Sequence, residues 1–338
     1  MKRPLLFLFM LLSFVGINAQ DEELLNVRIE TRADYQQEYV GDNKVNDNSG
    51  FKGKYLMLRF DGNISKNFSY SYRQRLNKTI LNQSFFDATD WLQLTYTYKS
   101  FSVAAGKQIV GIGGYEYDRS PLDLYTTSEY WNNIACYQFG ASVAYTFSDG
   151  SDKLMFQFSE SPFRKNIRNI ANKEMFAYNL VWYGNHGWFN SIYSLNMIEY
   201  LPGSYISYIA LGNRFAFGNF TIEFDAMSRA TDKHVFLGKN LSLIGELSWR
   251  PKKYLNIFAK ASYDVNRTGD NSDFCVLDGT EITRVGLGIE YLPINNVRLH
   301  AHGSYSWGEI GNRFIDGGQT NLSLGVTWKM NLLSLKRK

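Results

Sequence analysis

The sequence predicts an all-β fold, a transmembrane antiparallel β-barrel of about sixteen strands, and three observations carry that prediction. After Ala19 the chain is built of segments of alternating polarity, as in Asn321 to Lys329 (NLSLGVTWK). There Leu322, Leu324, Val326 and Trp328 share one face, and Ser323, Gly325, Thr327 and Lys329 share the other. The gaps between segments go long, short, long, short along the chain. No stretch beyond the N-terminal leader approaches the roughly 20 apolar residues of a spanning helix, although 16% of the chain is aromatic and mean hydropathy is −0.30. A closed sheet with one apolar and one polar face crosses a bilayer without leaving a backbone edge in lipid.

Taken in order, Lys2 and Arg3 precede an apolar run from Leu5 to Val15 and a small residue at Ala19, the pattern of a cleaved secretory signal over residues 1–19. Residues 20–338 then form the barrel. Its expected strand cores are Val27 to Tyr39, Tyr55 to Gly62, Phe68 to Leu76, Trp91 to Tyr98, Phe101 to Gln108, Tyr137 to Phe147, Leu154 to Ser159 and Phe176 to Tyr183. The second half adds Trp188 to Leu195, Tyr205 to Phe215, Phe220 to Arg229, Leu241 to Trp249, Leu255 to Asp264, Arg284 to Tyr291, Val297 to Trp307 and Asn321 to Lys329. Fourteen or eighteen strands are also compatible with the pattern.

Every second gap is compact (ISKN, KS, SDGSD, GNHG, FGN, RPKKY, LPINN), as periplasmic turns are in such barrels. The others are longer and read as extracellular loops, including NMIEYLPGS and the stretch after Gln108. Proline cannot donate to a sheet, and Pro121, Pro162, Pro202, Pro251 and Pro293 all fall in gaps. Phe68, Tyr98, Phe101, Tyr145, Phe147, Phe215, Phe220, Trp249, Tyr254, Tyr291 and Trp328 lie beside the short turns, where an interfacial girdle belongs.

The opposite parity holds the charges. Arg28, Glu30, Arg32, Asp34, Arg59, Asp61, Arg73, Arg75, Arg214, Glu223, Asp225, Arg229, Glu246, Arg250, Lys260, Asp264, Arg284, Glu290, Arg298 and Lys329 all take it. An Arg or Lys on the lipid face would cost roughly 2–4 kcal/mol near the midplane, so this set faces the lumen. The residues either pair along the wall or meet solute.

The longest loop runs from Lys107 to Cys136, and its glycines, aromatics and Pro121 describe a compact segment. Folded into the barrel it would narrow the bore. It would set Glu116, Asp118 and Asp123, together with Arg119 and Lys107, against Arg28, Arg32, Arg59, Arg73 and Arg75 on the first three strands. These ten residues are the pore-lining and constriction candidates. A loop lying outward on the surface is the alternative.

The run GKQIVGIGGYEYDRSPLDLY, followed by YQFGASVAYTF, resembles the middle of phosphate-selective porins O and P, particularly those of Bacteroidetes-type bacteria. The resemblance implies a sixteen-stranded porin, often a homotrimer, whose third loop forms the constriction and whose basic residues guide anions. The third loop here is net acidic and the wall charges are mixed, which departs from a dense basic ladder for phosphate.

Other chemistry finds little support. His300, His302 and Ser304 share the lumen parity of Arg298, which does not suit a barrel phospholipase, and no third metal ligand stands at a meaningful spacing. No catalytic residue, metal or cofactor is therefore assigned. Cys136 and Cys275 lie in or beside outer loops and are expected either to pair or to remain separate thiols. The chain continues past Trp328 as MNLLSLKRK, read as a basic periplasmic tail, so barrel-assembly machinery would have to recognise an internal signal such as Leu322 to Met330. A net charge of +4 gives no indication of nucleic-acid binding.

The expected function is passive diffusion of small hydrophilic solutes or ions across the bacterial outer membrane, with a weak preference for anions. A surface receptor or adhesin, and then a barrel enzyme, are the alternatives. A gated transporter with a plug and about twenty-two strands would not fit the chain.

Overall fold

The computed structural model describes residues 23–78, 85–166, 174–231 and 238–337. The expected leader, residues 1–19, lies outside them. Among the described residues there are eighteen strand segments in one sheet, and two of these are two-residue bridges in loops, Asn43–Lys44 and Arg313–Phe314. The other sixteen are the barrel wall. They are β1 (Glu23–Val40), β2 (Gly50–Asn63), β3 (Phe68–Arg75), β4 (Thr89–Tyr98), β5 (Phe101–Ile109), β6 (Tyr137–Thr146), β7 (Asp152–Glu160) and β8 (Phe176–His186). Then come β9 (Phe189–Leu201), β10 (Ser204–Phe217), β11 (Phe220–Thr231), β12 (Asn240–Lys252), β13 (Leu255–Asn266), β14 (Thr280–Ile294), β15 (Val297–Ile310) and β16 (Gln319–Lys336).

Each strand pairs antiparallel with its sequence neighbours, and β1 closes the barrel on β16 through Tyr35↔Leu324 and Ala33↔Val326. The alternation of the sequence becomes two faces. Leu322, Leu324 and Trp328 are exposed on the outside, whereas Ser323 and Thr327 are buried on the inside. Aromatic residues next to the short turns meet across strands, with Phe68 and Tyr96, and Phe101 and Tyr145, at ring-centroid separations of 4.8 Å. Trp249 stacks on Phe220, and Tyr254 meets Tyr291, in the same belt.

Two expectations need correction. The gap centred on NMIEYLPGS is not a long loop, because pairing continues through Glu199↔Tyr205 to Leu201↔Ser204 and leaves only Pro202 and Gly203 as the turn. Gly203 takes the positive φ of +79° that such a tight reversal needs. The segment after Trp328 is not a loose tail. The first residues of β1 give it a partner, with Val27↔Leu333 and Leu25↔Leu335, so β16 runs on to Lys336.

Three of the longer connections pack inside the barrel against an apolar patch of its wall. Ala177, Ile198, Ile206, Tyr208, Ala210 and Met227 of β8 to β11 form one cluster with Val110, Ile112, Tyr117, Tyr130 and Ile134 of the loop after β5, here L3 (residues 110–136). Phe163 from the connection after β7, and Cys275 and Val276 from L7 (residues 267–279), complete it. Both cysteines are free thiols, with Cys275 in this cluster and Cys136 packed against it. Burial pushes the Cys136 thiol up to about 11.

Candidate functional site

L3 folds inward and is threaded along the inner wall from β7 round to β1. Two short helices shape it, α1 (Tyr115–Asp118) and α2 (Glu129–Asn133), the second capped by Ser128, whose hydroxyl accepts from the Trp131 N–H. The glycines at its start let backbone lie directly on wall. Gly111 N–H donates to Gln157 at 2.6 Å, Gly113 N–H to Ser194 Oγ at 2.8 Å and Gly114 N–H to the Ile192 carbonyl at 3.2 Å. A Cβ on Gly113 would stand 2.7 Å from the Ile192 carbonyl oxygen, so the approach requires a residue without one.

Past the glycines, wall charges hold the loop. Asp225 accepts from the backbone N–H groups of Tyr115 and Glu116, both at 2.8 Å, which satisfies donors left free at the start of α1. Lys260 pairs with Glu116 at 2.6 Å, and Arg119 is gripped by Glu246 at 2.6 Å and by Glu223. Arg298 pairs with Asp123 at 2.7 Å and donates to the Leu122 carbonyl, while Arg32 donates to the Leu124 carbonyl. Arg284 pairs with Glu129 at 2.5 Å.

The two histidines belong to this anchorage. Tyr125 stacks on Phe258 and on His302, with His300 at 4.8 Å on another side, and its hydroxyl donates to Glu290 at 2.7 Å. His300 Nε2 lies 3.1 Å from Asp34, which also holds Arg32 at 2.7 Å. The imidazoles thus support the loop instead of converging on a reacting atom.

The strands that L3 leaves bare are β2 to β5, and there Arg59 and Arg75 keep part of their side chains exposed, with Arg28 of β1 and the buried Arg73 beside them. Arg28 and Arg59 share Asp61, at 2.8 and 2.6 Å, and Arg73 and Arg75 share Asp90, at 2.8 and 2.9 Å. Four guanidiniums thus rest on two carboxylates, a local surplus of two positive charges. Aromatic rings lie beneath them, with Arg73 3.7 Å over Trp91 and Arg75 5.5 Å over Tyr55. Lys107 is tied to backbone, its ammonium donating to the carbonyls of Phe86 and Thr89.

A cavity of about 1080 Å³ runs along this bare wall, and among the described residues its lining has twice as many basic as acidic side chains. The basic ones are Arg59, Arg73, Arg75, Lys78, Lys107, Arg119, Lys165 and Lys329, against Glu30, Asp87, Asp118 and Glu160. A second cavity of about 350 Å³ lies under L3 beside β10 to β15, lined by Arg214, Arg250, Arg298, Glu223 and Glu246 among others. Arg119 is the one described residue that lines both. Enclosure within the barrel raises the Asp118 carboxyl above the ordinary carboxylate range, with Arg214 and Lys153 opposing the shift.

The candidates therefore separate. Arg59, Arg73, Arg75, Asp118 and Arg119 meet at the large cavity, with Lys107 at its edge. Glu116 and Asp123 face Lys260 and Arg298 on the far wall, and not the arginines of the first three strands. Arg28 reaches the cluster through Asp61, and Arg32 anchors L3. Sequence reasoning missed Asp90 and Trp91, which complete the arginine cluster, and Asp273 of L7, which pairs with Arg229 at 2.8 Å. Asp90 precedes the clean alternation of β4, and a bulge between Arg73 and Gln74 brings it inward.

With this geometry in place, comparison with known proteins gives a family match over part of the chain and a shared fold over most of it. Residues 25–182 match the sequence model of the phosphate-selective porin O and P family. No curated protein sequence matches the chain. Among solved structures, the fold is similar to the anion-selective porin from Comamonas acidovorans, with TM-score 0.65 and 10% identity over 91% of this chain and 100% of that one. It is also similar to the outer membrane channel DcaP of Acinetobacter baumannii, with TM-score 0.62 and 11% identity over 94% and 100% of the two chains. OmpT of Vibrio cholerae in its trimer form gives TM-score 0.61 and 11% identity over 92% and 100%. At these identities the likeness is one of fold, and the fold is the porin barrel.

Proposed function

We propose that this porin-type barrel is a passive-diffusion channel of the bacterial outer membrane that favours anions over cations, with its short turns in the periplasm and residues 1–19 removed on export. The observation that carries the reading is the arginine cluster on the bare wall, where Arg28, Arg59, Arg73 and Arg75 share Asp61 and Asp90. A fixed surplus of charge in a low-dielectric tube raises the local concentration of the opposite ion. Arg119, which lines both cavities, is neutralised by Glu223 and Glu246 and leaves the surplus to this cluster. The departure from a basic ladder and the docking of most L3 acids on wall cations favour small anions in general over a dedicated phosphate path. A homotrimer is part of the reading, supported by the trimer form of the OmpT relative.

The test is a planar-bilayer recording in a salt gradient. Arg59→Gln with Arg75→Gln removes the surplus while leaving Arg28 on Asp61 and Arg73 on Asp90, so the wall keeps a partner for each carboxylate. The zero-current potential should move toward cation preference. The change should shrink near 1 M salt, where screening falls to about 3 Å. An unchanged potential in an intact channel would remove the anion reading.

A further inference from the structure

The large cavity brings guanidiniums and apolar side chains into one lining. On the barrel wall stand Arg59, Arg73 and Arg75, held by Asp61 and Asp90 through their Nε atoms. From L3 the same cavity is lined by Pro121, Trp131, Ala135 and Cys136 beside the polar Asp118, Arg119, Ser120 and Asn132, and Trp131, Ala135 and Cys136 are half-buried. A small inorganic anion gains from the guanidiniums and gains nothing from the Trp131 ring. Moving phosphate against an apolar wall removes hydration and returns no contact for it.

Resting on the reading of the bore as an anion path, we infer that its preferred solutes are organic anions with a flat apolar body, aromatic carboxylates above all. The carboxylate takes the guanidinium edges on β2 and β3, a charge-assisted pairing for which arginine geometry is suited. The ring meets the Trp131 face of L3, which gains from contact with an aromatic body and gains nothing from a hydrated ion. The site is built by L3 docking, since α2 carries Trp131 and is held by Asp264 accepting from the Glu129 N–H at 2.8 Å and by Arg284 on the Glu129 carboxylate.

The experiment uses the full barrel in planar bilayers, with reversal potentials and current block measured for sodium benzoate, acetate and phosphate. Benzoate should exceed acetate by roughly two- to tenfold in apparent affinity, the ratio given by about 0.5–1.5 kcal/mol for an aromatic pair. That ratio should fall toward one in Trp131→Ala and return in Trp131→Phe, which also shows that α2 still docks. Equal block by benzoate and acetate in the wild-type channel, or tightest block by phosphate, would overturn the inference while leaving the anion path standing. Loss of anion preference altogether would overturn the reading beneath it.

Discussion

The inner wall of this barrel is charged on both halves, yet the two halves use charge differently. On β11 and β14, Arg229 and Arg284 are buried under loops. Arg229 has no exposed side-chain surface and pairs at 2.8 Å with Asp273 of L7, which is equally buried. Along β2 and β3, Arg75 keeps 20% of its side chain exposed and shares Asp90 with Arg73. The difference teaches that strand parity decides which side chains point inward, while the loops decide which of those meet water. A charge under a loop fastens it. A charge on bare wall shapes the field.

The largest contrast should appear in stability. Arg229→Ala leaves Asp273 buried without its cation, and breaking a buried pair costs about 3–5 kcal/mol. Arg75→Ala leaves Arg73 on Asp90 and should cost about 0–1 kcal/mol, as a partly exposed pair does. Urea titration of both variants in lipid vesicles measures this, with proteolysis of L7 as a local readout. Similar midpoints for the two would mean that L7 is not fastened as the structure shows.

A smaller contrast concerns close approach. Gly113→Ala would place Cβ 2.7 Å from the Ile192 carbonyl and 3.0 Å from the Ser194 nitrogen, both backbone. Such overpacking typically costs about 1–3 kcal/mol, and here it should lift the start of L3 off β9. Larger and noisier single-channel conductance is the expected result. Gly53→Ala on β2, with nothing within 4 Å of its Cβ, should leave the channel unchanged. If Gly113→Ala were as silent as Gly53→Ala, the path of L3 along the wall would have to be redrawn.

The two halves were also unequally legible in the sequence. Strand cores from Phe101 to Gln108 and from Leu255 to Asp264 lie within β5 and β13, because polarity with period two is imposed by lipid on one face and repeats along every strand. The arginines of β2 and β3 were readable for the same reason. The packed half was not. Ile198, Ile206, Tyr208 and Met227 sit on the inner face where polar residues belong, and that break in parity was the available sign that something covers them. It names no partner, because Val110, Phe163 and Val276 come from connections far apart in the chain and contacts of that range leave no local period. Asp123 shows the same limit. Its charge was legible, but its choice of Arg298 over the arginines of the first strands follows from how L3 threads.

The smallest effect should come from Asp118, the L3 acid that lines the large cavity with the bare-wall arginines. Enclosure within the barrel raises its carboxyl above the ordinary range, so on acidification it takes its proton at higher pH than a solvated aspartate. Protonation removes a negative charge from the bore near Arg214 and Lys153, and the net positive charge of the bore grows. Anion preference should therefore increase as pH falls through this range, before ordinary carboxylates titrate. Asp118→Asn should show the stronger preference already at neutral pH and lose that step. Zero-current potentials of both proteins, taken over a pH series at low salt where screening is weak, measure it. An identical step in Asp118→Asn would assign the titration to another group, and no step in either would mean that the field of the bare wall is set by the arginines alone.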